Sequence, residues 1–387
     1  MLMSIPIIIF WVAVLMIFWA NVGYPISILI LGSILKKKET FRKHYEPSVT
    51  IMIVAHNEEK VIEEKLLNVL SLNYPKDKTS IIVASDNSDD NTNKIVKRII
   101  KDNPKRAISL HEVKERKGKT NAQNEAAKFV NSEILVMTDA NALLDKNCIL
   151  ELTRSFTKNV AYVCGRLVYS NSAESTTSGT ENTYWDLETT IRQIESNIQT
   201  ITAGNGAIYA IKTEYYHAFE PIMCHDSAMP LYYSLKGMRA VANSRAIAYE
   251  KAGENSSDEL KRKIRMARMI VYYILPSIKI LNVFKYRWFT YFYLGHRTSR
   301  YLLWFNHILL FIVNFVLVTH STFFLVTLII QIVIYAIAIL QSICKTRNKV
   351  CVYISYYFMT ILAQLIGVIK TITGKNKPFW EKAESTR

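Results

Sequence analysis

Ile134-Leu-Val-Met-Thr-Asp-Ala-Asn141 is an apolar run that stops abruptly at Asp139-Ala140-Asn141. A short apolar stretch bounded by polar residues reads as a buried strand over Ile134–Thr138. Side chains i and i+2 of a strand share a face, so this reading delivers Asp139 and Asn141 together at the strand's exposed end. Two oxygen-bearing side chains so placed can hold a hard cation such as Mg²⁺ or Mn²⁺. Such ions take few ligands from protein and the rest from phosphate and water.

Upstream of this strand the sequence alternates. Val49–Ala55 and Ser80–Ala84 read as apolar strands, and a third lies near Ile108–Val113. Between them, helical spacing appears in Glu59–Leu72 (Val61, Ile62, Leu66, Val69, Leu70) and Asn91–Lys101 (Ile95, Val96, Ile99, Ile100), and a further helix is expected over Thr120–Val130. Strands alternating with helices imply a parallel sheet covered on both faces, with ligands at the carboxyl ends of the strands.

Polar clusters sit at those ends. The first strand runs into Ala55-His56-Asn57-Glu58-Glu59 and the second into Ser85-Asp86-Asn87-Ser88-Asp89-Asp90. Asp89, Asp90 and Asn91 read as caps and first-turn acids of the following helix. Asp86, the first residue off a buried strand, is a binding candidate by its place at the ligand edge. Arg116-Lys117-Gly118-Lys119 precedes a helix; it is either a solvated charge run or a diphosphate cradle of backbone donors and an ammonium.

The ends of the chain have another character. Half of the 387 residues are hydrophobic and the formal charge is +16, a composition too apolar for nucleic-acid binding. Ile5–Leu35 is nearly uncharged and longer than the roughly 20 residues that cross a bilayer. With no basic residue before it and no small-residue cleavage site, it is expected to be an anchor rather than a removed signal. Lys36, Lys37, Lys38, Arg42 and Lys43 follow, which places the central region in the cytoplasm by the positive-inside rule. Tyr301–Val318 and Thr322–Ser342 read as a membrane hairpin turning at His320-Ser321. Val350–Ile369 has basic clusters on both sides: Lys345, Arg347 and Lys349 before it, Lys370, Lys375 and Lys377 after it. A re-entrant or interfacial helix is preferred there, since it keeps both clusters on one side. The expected organisation is an anchor over 1–45, one large α/β domain over 46–260, interfacial amphipathic helices over 261–300 and a membrane region over 301–387. Cys148, Cys164, Cys224, Cys344 and Cys351 show no metal-ligand spacing and read as reduced, incidental thiols.

Taken together, the motifs resemble the inverting family-2 glycosyltransferases of GT-A fold, and more closely the membrane-embedded branch of hyaluronan, chitin, poly-N-acetylglucosamine and cellulose synthases. The resemblance runs over roughly residues 1–300, with four motifs in order. It implies a GT-A (Rossmann-like) mixed sheet. It also implies that Ala55, Asn57, Glu58 and Asp86 hold the nucleotide, that Lys119 meets the diphosphate, and that Asp139-Ala140-Asn141 stands for the family's D-x-D metal motif.

Further along, Thr202-Ala203-Gly204-Asn205-Gly206 is either a turn or a close backbone approach to a sugar. Gly204 and Asn205 are taken as acceptor-side candidates. Cys224-His225-Asp226 occupies the place of the family's acidic pair, which assigns Asp226 as catalytic base. An acceptor hydroxyl attacking an anomeric carbon must lose its proton to such a group. His225 reads as a packing histidine. Lys261–Met266 aligns with the Q-x-x-R-W motif: Arg262 replaces the glutamine and is assigned to the acceptor, Arg265 matches and is assigned to the diphosphate, and Met266 replaces the tryptophan. The same stretch also reads as a basic amphipathic helix on a membrane surface. Trp185 is expected in the core.

The expectation is therefore a plasma-membrane, multi-pass glycosyltransferase. Its partners would be a nucleotide-diphospho-sugar (a UDP-sugar), a glycan or polyprenyl-linked acceptor, the bilayer, and a second copy or export partner. A non-catalytic scaffold with a decayed pocket is the rival, and Asn141 and His225 are its best support. A transporter is disfavoured because the spans carry no intramembrane charge.

Overall fold

The computed structural model describes residues 4–37, 40–171, 176–251, 256–344, 346 and 348–379, without the side chains of Ser4, residues 176–185 and Ser256. Lys38, Lys345, Arg347 and the side chain of Trp185 lie outside the described residues.

Eight strands form one mixed sheet. In chain order they are β1 (Val49–Ala55), β2 (Thr79–Ser85), β3 (Ala107–Glu112), β4 (Ile134–Asp139), β5 (Leu143–Leu144), β6 (Val160–Tyr169), β7 (Ile208–Lys212) and β8 (Arg239–Glu250). Their spatial order is β3-β2-β1-β4-β7-β6-β8-β5. The β3-β2-β1-β4 half is parallel throughout, as the alternating sequence predicts. Both faces of β1, β2 and β4 are covered, and β3 is a half-exposed edge strand. Ile51, Ile53, Ile81, Val83, Ile134 and Val136 pack with the helices Ile62–Leu70, Thr92–Asp102 and Cys148–Arg154. Met52, Ile82, Leu135 and Met137 face the other way, toward Lys119–Ala127 and His225–Leu235. Two-sided burial is why these strands read as unbroken apolar runs.

The second half departs from simple alternation. β7 enters antiparallel between β4 and β6, which sets its first residue, Ile208, beside Thr138 at the end of β4. The loop before β7 is thereby carried over the carboxyl edge of the parallel half. β6 and β8 pair with two register shifts, and bulges of this kind add local twist and curl a sheet.

The terminal segments are helical. Ser4–Phe18 and Tyr24–Leu35 are joined through a wider turn over Trp19–Gly23. Thr322–Cys344 and Lys349–Ile372 each form one unbroken helix. Among the described residues, these three segments are long and apolar enough to cross a membrane, and four are if the bent pair Trp288–Tyr301 and Leu303–Leu317 counts as one span. The re-entrant expectation for Val350–Ile369 is corrected in part: a re-entrant loop needs a break, and this helix runs through without one.

Candidate active site

β4 ends at Asp139, and the chain then turns: the Ala142 N–H donates to the Asp139 carbonyl at 3.3 Å. Here the sequence reading is corrected. The i/i+2 rule holds within a strand, but the strand stops at Asp139 and the turn sets the position of Asn141. Asp139 keeps an accessible carboxylate, with about a third of its side chain exposed.

Lys119 reaches Asp139 from the next loop. Gly118, at φ 94° and ψ 167°, leads into the helix Lys119–Ala127. The Asp86 carboxylate holds this loop by accepting the N–H groups of Lys117 (3.1 Å) and Gly118 (2.9 Å). Asp86 is only 3% exposed, so its first role is to fix the loop. The Lys119 ammonium then donates to Asp139 Oδ1 and, at 3.4 Å, to the Gly206 carbonyl. Burial disfavours the charge on Lys119, but the Asp139 carboxylate outweighs this and holds its pKa above the ordinary lysine value. Lys119 is therefore fully cationic at neutral pH.

Asp226 arrives from the opposite side, in the first turn of His225–Leu235, where its carbonyl accepts the Gly204 N–H at 2.8 Å. The three charged groups meet around Gly206. A Cβ placed on that glycine would lie 3.2 Å from Lys119 Nζ, 3.7 Å from Asp139 Oδ2 and 3.8 Å from Asp226 Oδ2. Gly206 is the one member of Gly204-Asn205-Gly206 that is not buried, the glycine of this motif that carries no assignment in the sequence although its close-approach reading includes it. Arg265 adds a further cation near Cys224 and Asp139, its pKa pulled down to about 10 by burial and by Arg262.

Other assignments change. Asn205 is 3% exposed and turned into the sheet: Nδ2 donates to the Gly165 carbonyl at 2.6 Å, and Oδ1 accepts from Ala207 and Ile208 N–H. Gly204 is buried against Tyr162, whose hydroxyl lies 1.9 Å from where a Cβ would stand. Both residues shape the loop: the Asn205 side chain is bonded to Gly165, Ala207 and Ile208, and Gly204 is packed on Tyr162. Arg262 forks onto buried Glu259 at 2.7 and 2.9 Å and reaches the Tyr169 hydroxyl, which gives it a structural role. Asn57 adopts φ 53° and pairs with Asp89 through both its amide nitrogen and its carbonyl, tying the β1 and β2 loops together. Ala55 accepts the Asp86 N–H, and Glu58 is buried beside Thr92. Asp90 takes the Thr92 N–H as a helix-start acid should. His225 packs edge-on against Tyr216 and Phe219, and burial, then Lys119, lowers its pKa to about 3, so it is neutral at pH 7.

One contact was not visible in the sequence. The segment after Ile372 returns to the site: buried Arg268 donates to the carbonyls of Lys377 (3.3 Å) and Pro378 (2.9 Å) and to Cys224 Sγ (3.3 Å). Arg116 lies over the Phe379 ring, and the Pro378 carbonyl presses on Gly118. Gly118→Ala would put a Cβ 2.5 Å from that carbonyl, at a backbone conformation that only glycine tolerates. It is expected to weaken nucleoside-diphosphate binding about tenfold or more, for a strain of roughly 1–3 kcal/mol. Isothermal titration would check this; native affinity in the variant would show that the loop is not part of the site.

The donor set also bears on a metal. No group of three or more His, Cys, Asp or Glu side chains suited to an ion exists among the described residues. Asp139 offers its second carboxylate oxygen, Oδ2, since Lys119 takes Oδ1, and Asn141 offers an amide oxygen. This fits a hard cation that takes its remaining ligands from a diphosphate and water.

Comparison with known proteins agrees with this geometry. Residues 50–212 match glycosyl transferase family 2, and residues 134–343 match glycosyl transferase family group 2. The beta-monoglucosyldiacylglycerol synthase of Trichormus variabilis is 26% identical over 163 residues, 41% of this chain and 35% of that protein. The poly-beta-1,6-N-acetyl-D-glucosamine synthase of Staphylococcus aureus is 30% identical over 122 residues, 32% of this chain and 28% of that protein. The chain thus spans about a third of the length of these curated relatives. A mannosyltransferase from Pyrobaculum calidifontis, solved with GDP-Man and Mn²⁺, superposes with a TM-score of 0.73 at 20% identity, over 95% of this chain and all of that one. The sheet is accordingly the GT-A fold that the motifs imply. The second family match takes in more than half of the residues, and the chain belongs to glycosyl transferase family group 2.

Proposed function

We propose that the protein is a membrane-bound inverting glycosyltransferase that moves a sugar from a nucleotide-diphospho-sugar to a glycan or lipid-linked acceptor in cell-envelope synthesis. The observation that carries this reading is the meeting of Lys119, Asp139 and Asp226 around Gly206. A base and a cation within one small space are what a single displacement at an anomeric carbon needs. The acceptor oxygen bonds to that carbon while its proton passes to an Asp226 carboxylate oxygen. The carbon–oxygen bond to the diphosphate breaks with its electron pair going to the diphosphate. Lys119 and Arg265 face that growing negative charge and stabilise it. A divalent ion held by Asp139 and Asn141, Mg²⁺ or Mn²⁺, supplies further charge neutralisation when bound. Ala55, Asn57, Glu58 and Asp86 form the floor and loop supports of the nucleotide side.

The membrane placement rests on the long apolar helices and on the cations Lys36, Lys37, Arg42 and Lys43, which favour a cytoplasmic domain. Residues 261–300 fit an interfacial role: Ile278, Leu281, Val283 and Phe284 stay exposed among Lys279 and Lys285. Met266, exposed where an aromatic platform is absent, favours single addition over processive extension.

The test is purified protein in detergent, screened against UDP- and GDP-sugars with a Mn²⁺ or Mg²⁺ supplement, reading release of nucleoside diphosphate. Release with one donor is expected; none with any donor, despite metal-dependent nucleotide binding, would turn the reading toward a binding scaffold. On the active donor, Asn141→Asp is expected to lower the metal concentration for half-maximal turnover, because a carboxylate ligates a cation more strongly than an amide. An unchanged metal titration would mean that Asn141 does not touch the ion.

A further inference from the structure

A fully buried lysine stands behind the turn that follows β4. Lys65, on the helix Ile62–Leu70, is 0% exposed. Its ammonium donates to Thr138 Oγ1 at 2.9 Å and to the Ala142 carbonyl. These acceptors bracket the motif: Thr138 comes one residue before Asp139, and Ala142 one residue after Asn141. Thr138 Oγ1 in turn donates to the Ala207 carbonyl at 2.8 Å, next to Gly206. One helical turn on, Asn68 exchanges bonds with Leu144, at 2.8 and 3.0 Å, so the same helix face clamps the segment again.

A buried ammonium is a costly way to fill space. Burial lowers the Lys65 pKa to about 7, against the opposing pull of Cys148, Asp139 and Glu250, and an apolar residue of similar volume is often as stable or more so in such a place. The turn it braces has one long backbone bond of its own, at 3.3 Å. Lysine supplies what an apolar side chain cannot: donors aimed at both ends of that turn, in either protonation state.

We propose that Lys65 is a positioning residue for the metal-diphosphate site, tying Thr138 to the Ala142 carbonyl and so fixing the turn that presents Asp139 and Asn141. This rests on the reading of the site given above. Groups that orient metal ligands from behind typically carry 10–100-fold in metal affinity.

The test is isothermal titration of a nucleoside diphosphate into the full-length protein over a range of Mn²⁺ concentrations, for the native chain, Lys65→Met and Thr138→Val. Lys65→Met is expected to raise the Mn²⁺ concentration for half-maximal binding about 10–100-fold, while nucleotide affinity without metal stays as in the native chain. Thr138→Val removes one bracketed acceptor at nearly constant shape and is expected to shift the same midpoint in the same direction, by less. It keeps the test open if Lys65→Met does not fold. Mn²⁺ midpoints equal to native in the folded variants overturn the bracing role alone. A parallel loss of metal-free nucleotide affinity makes Lys65 a general structural support and overturns it too. Metal-independent binding by the native chain overturns the reading of the site, and the bracing role with it.

Discussion

Asp226→Asn is expected to lower turnover of the active donor by about 10²–10⁴-fold, the usual contribution of a positioned general base. The substitution removes the proton acceptor and changes little else. The backbone carbonyl of residue 226 still takes the Gly204 N–H, and the side chain keeps its size at the first turn of His225–Leu235. Lys119 retains Asp139 as its direct partner. Nucleoside-diphosphate affinity is therefore expected to stay near native while kcat falls, a split that separates loss of a base from loss of the pocket. Turnover in isolated membranes gives the first quantity and titration the second. Full transfer by the variant would remove Asp226 from the mechanism. An equal collapse of both quantities would make it a donor-binding group instead. His225 does not substitute as base: it is buried among aromatic rings beside Tyr216 and Phe219, and burial, then Lys119, lowers its pKa to about 3.

The contrast between the two halves of the sheet shows what a sequence can carry. β1, β2 and β4 were legible because each is buried on both faces, and β1 and β2 are each followed by a helix of 3.6-residue periodicity, so pattern and fold agree locally. β6 and β8 were not assigned. Gly165 and Arg166 interrupt the first, Asn243, Ser244 and Arg245 the second, and both pair through register shifts. The residues that hold charge, Lys119, Asp139 and Asp226, were readable because their chemistry is scarce and their spacing follows a known motif order. The structural roles of Gly204, Asn205 and Arg262 were not legible, because Tyr162 and Gly165 reach the first two only through tertiary packing and Glu259 takes Arg262 from a buried position. Lys65 lies beside the apolar stripe of Ile62, Leu66 and Val69 and, by type, reads as solvent-facing. Only the turn of β4 folding over it reveals the acceptors. The return of Lys377–Phe379 to Arg268 and Gly118 spans about a hundred residues or more and leaves no local trace.

Glu195→Leu is expected to cost about 3–5 kcal/mol of stability, as removal of one partner from a buried ionic network does. Glu195 is 0% exposed and accepts from the Tyr24 hydroxyl at 2.6 Å, while His296 Nδ1 lies 2.7 Å away. His296 Nε2 lies 3.1 Å from Glu188, which also takes Arg300. Three separate stretches meet in this cluster: the N-terminal apolar helix through Tyr24, the domain helix Thr176–Ile198, and the segment Trp288–Tyr301. Leucine would strand the Tyr24 hydroxyl and the His296 ring in a dry interior, so the N-terminal helix should loosen from the domain. Limited proteolysis and thermal unfolding of the full chain in detergent would show both effects. Glu195→Gln keeps an acceptor and should cost less. Adding Tyr24→Phe to Glu195→Leu should recover part of the loss, because the stranded hydroxyl is then gone. The acid response has a defined sign. Burial alone would raise the Glu188 pKa, but Arg300, then His296, hold it well below the ordinary carboxylate value. Its stabilisation is thus fully present above the unfolded value of about 4.3 and is lost only as pH falls toward the lower folded value. From pH 7 down to about 5 the Glu188 contribution should be flat. A Glu195→Leu protein that melts at the native temperature would show that packing of Ile28, Ile191 and Phe292 holds the helix in place without the ionic network.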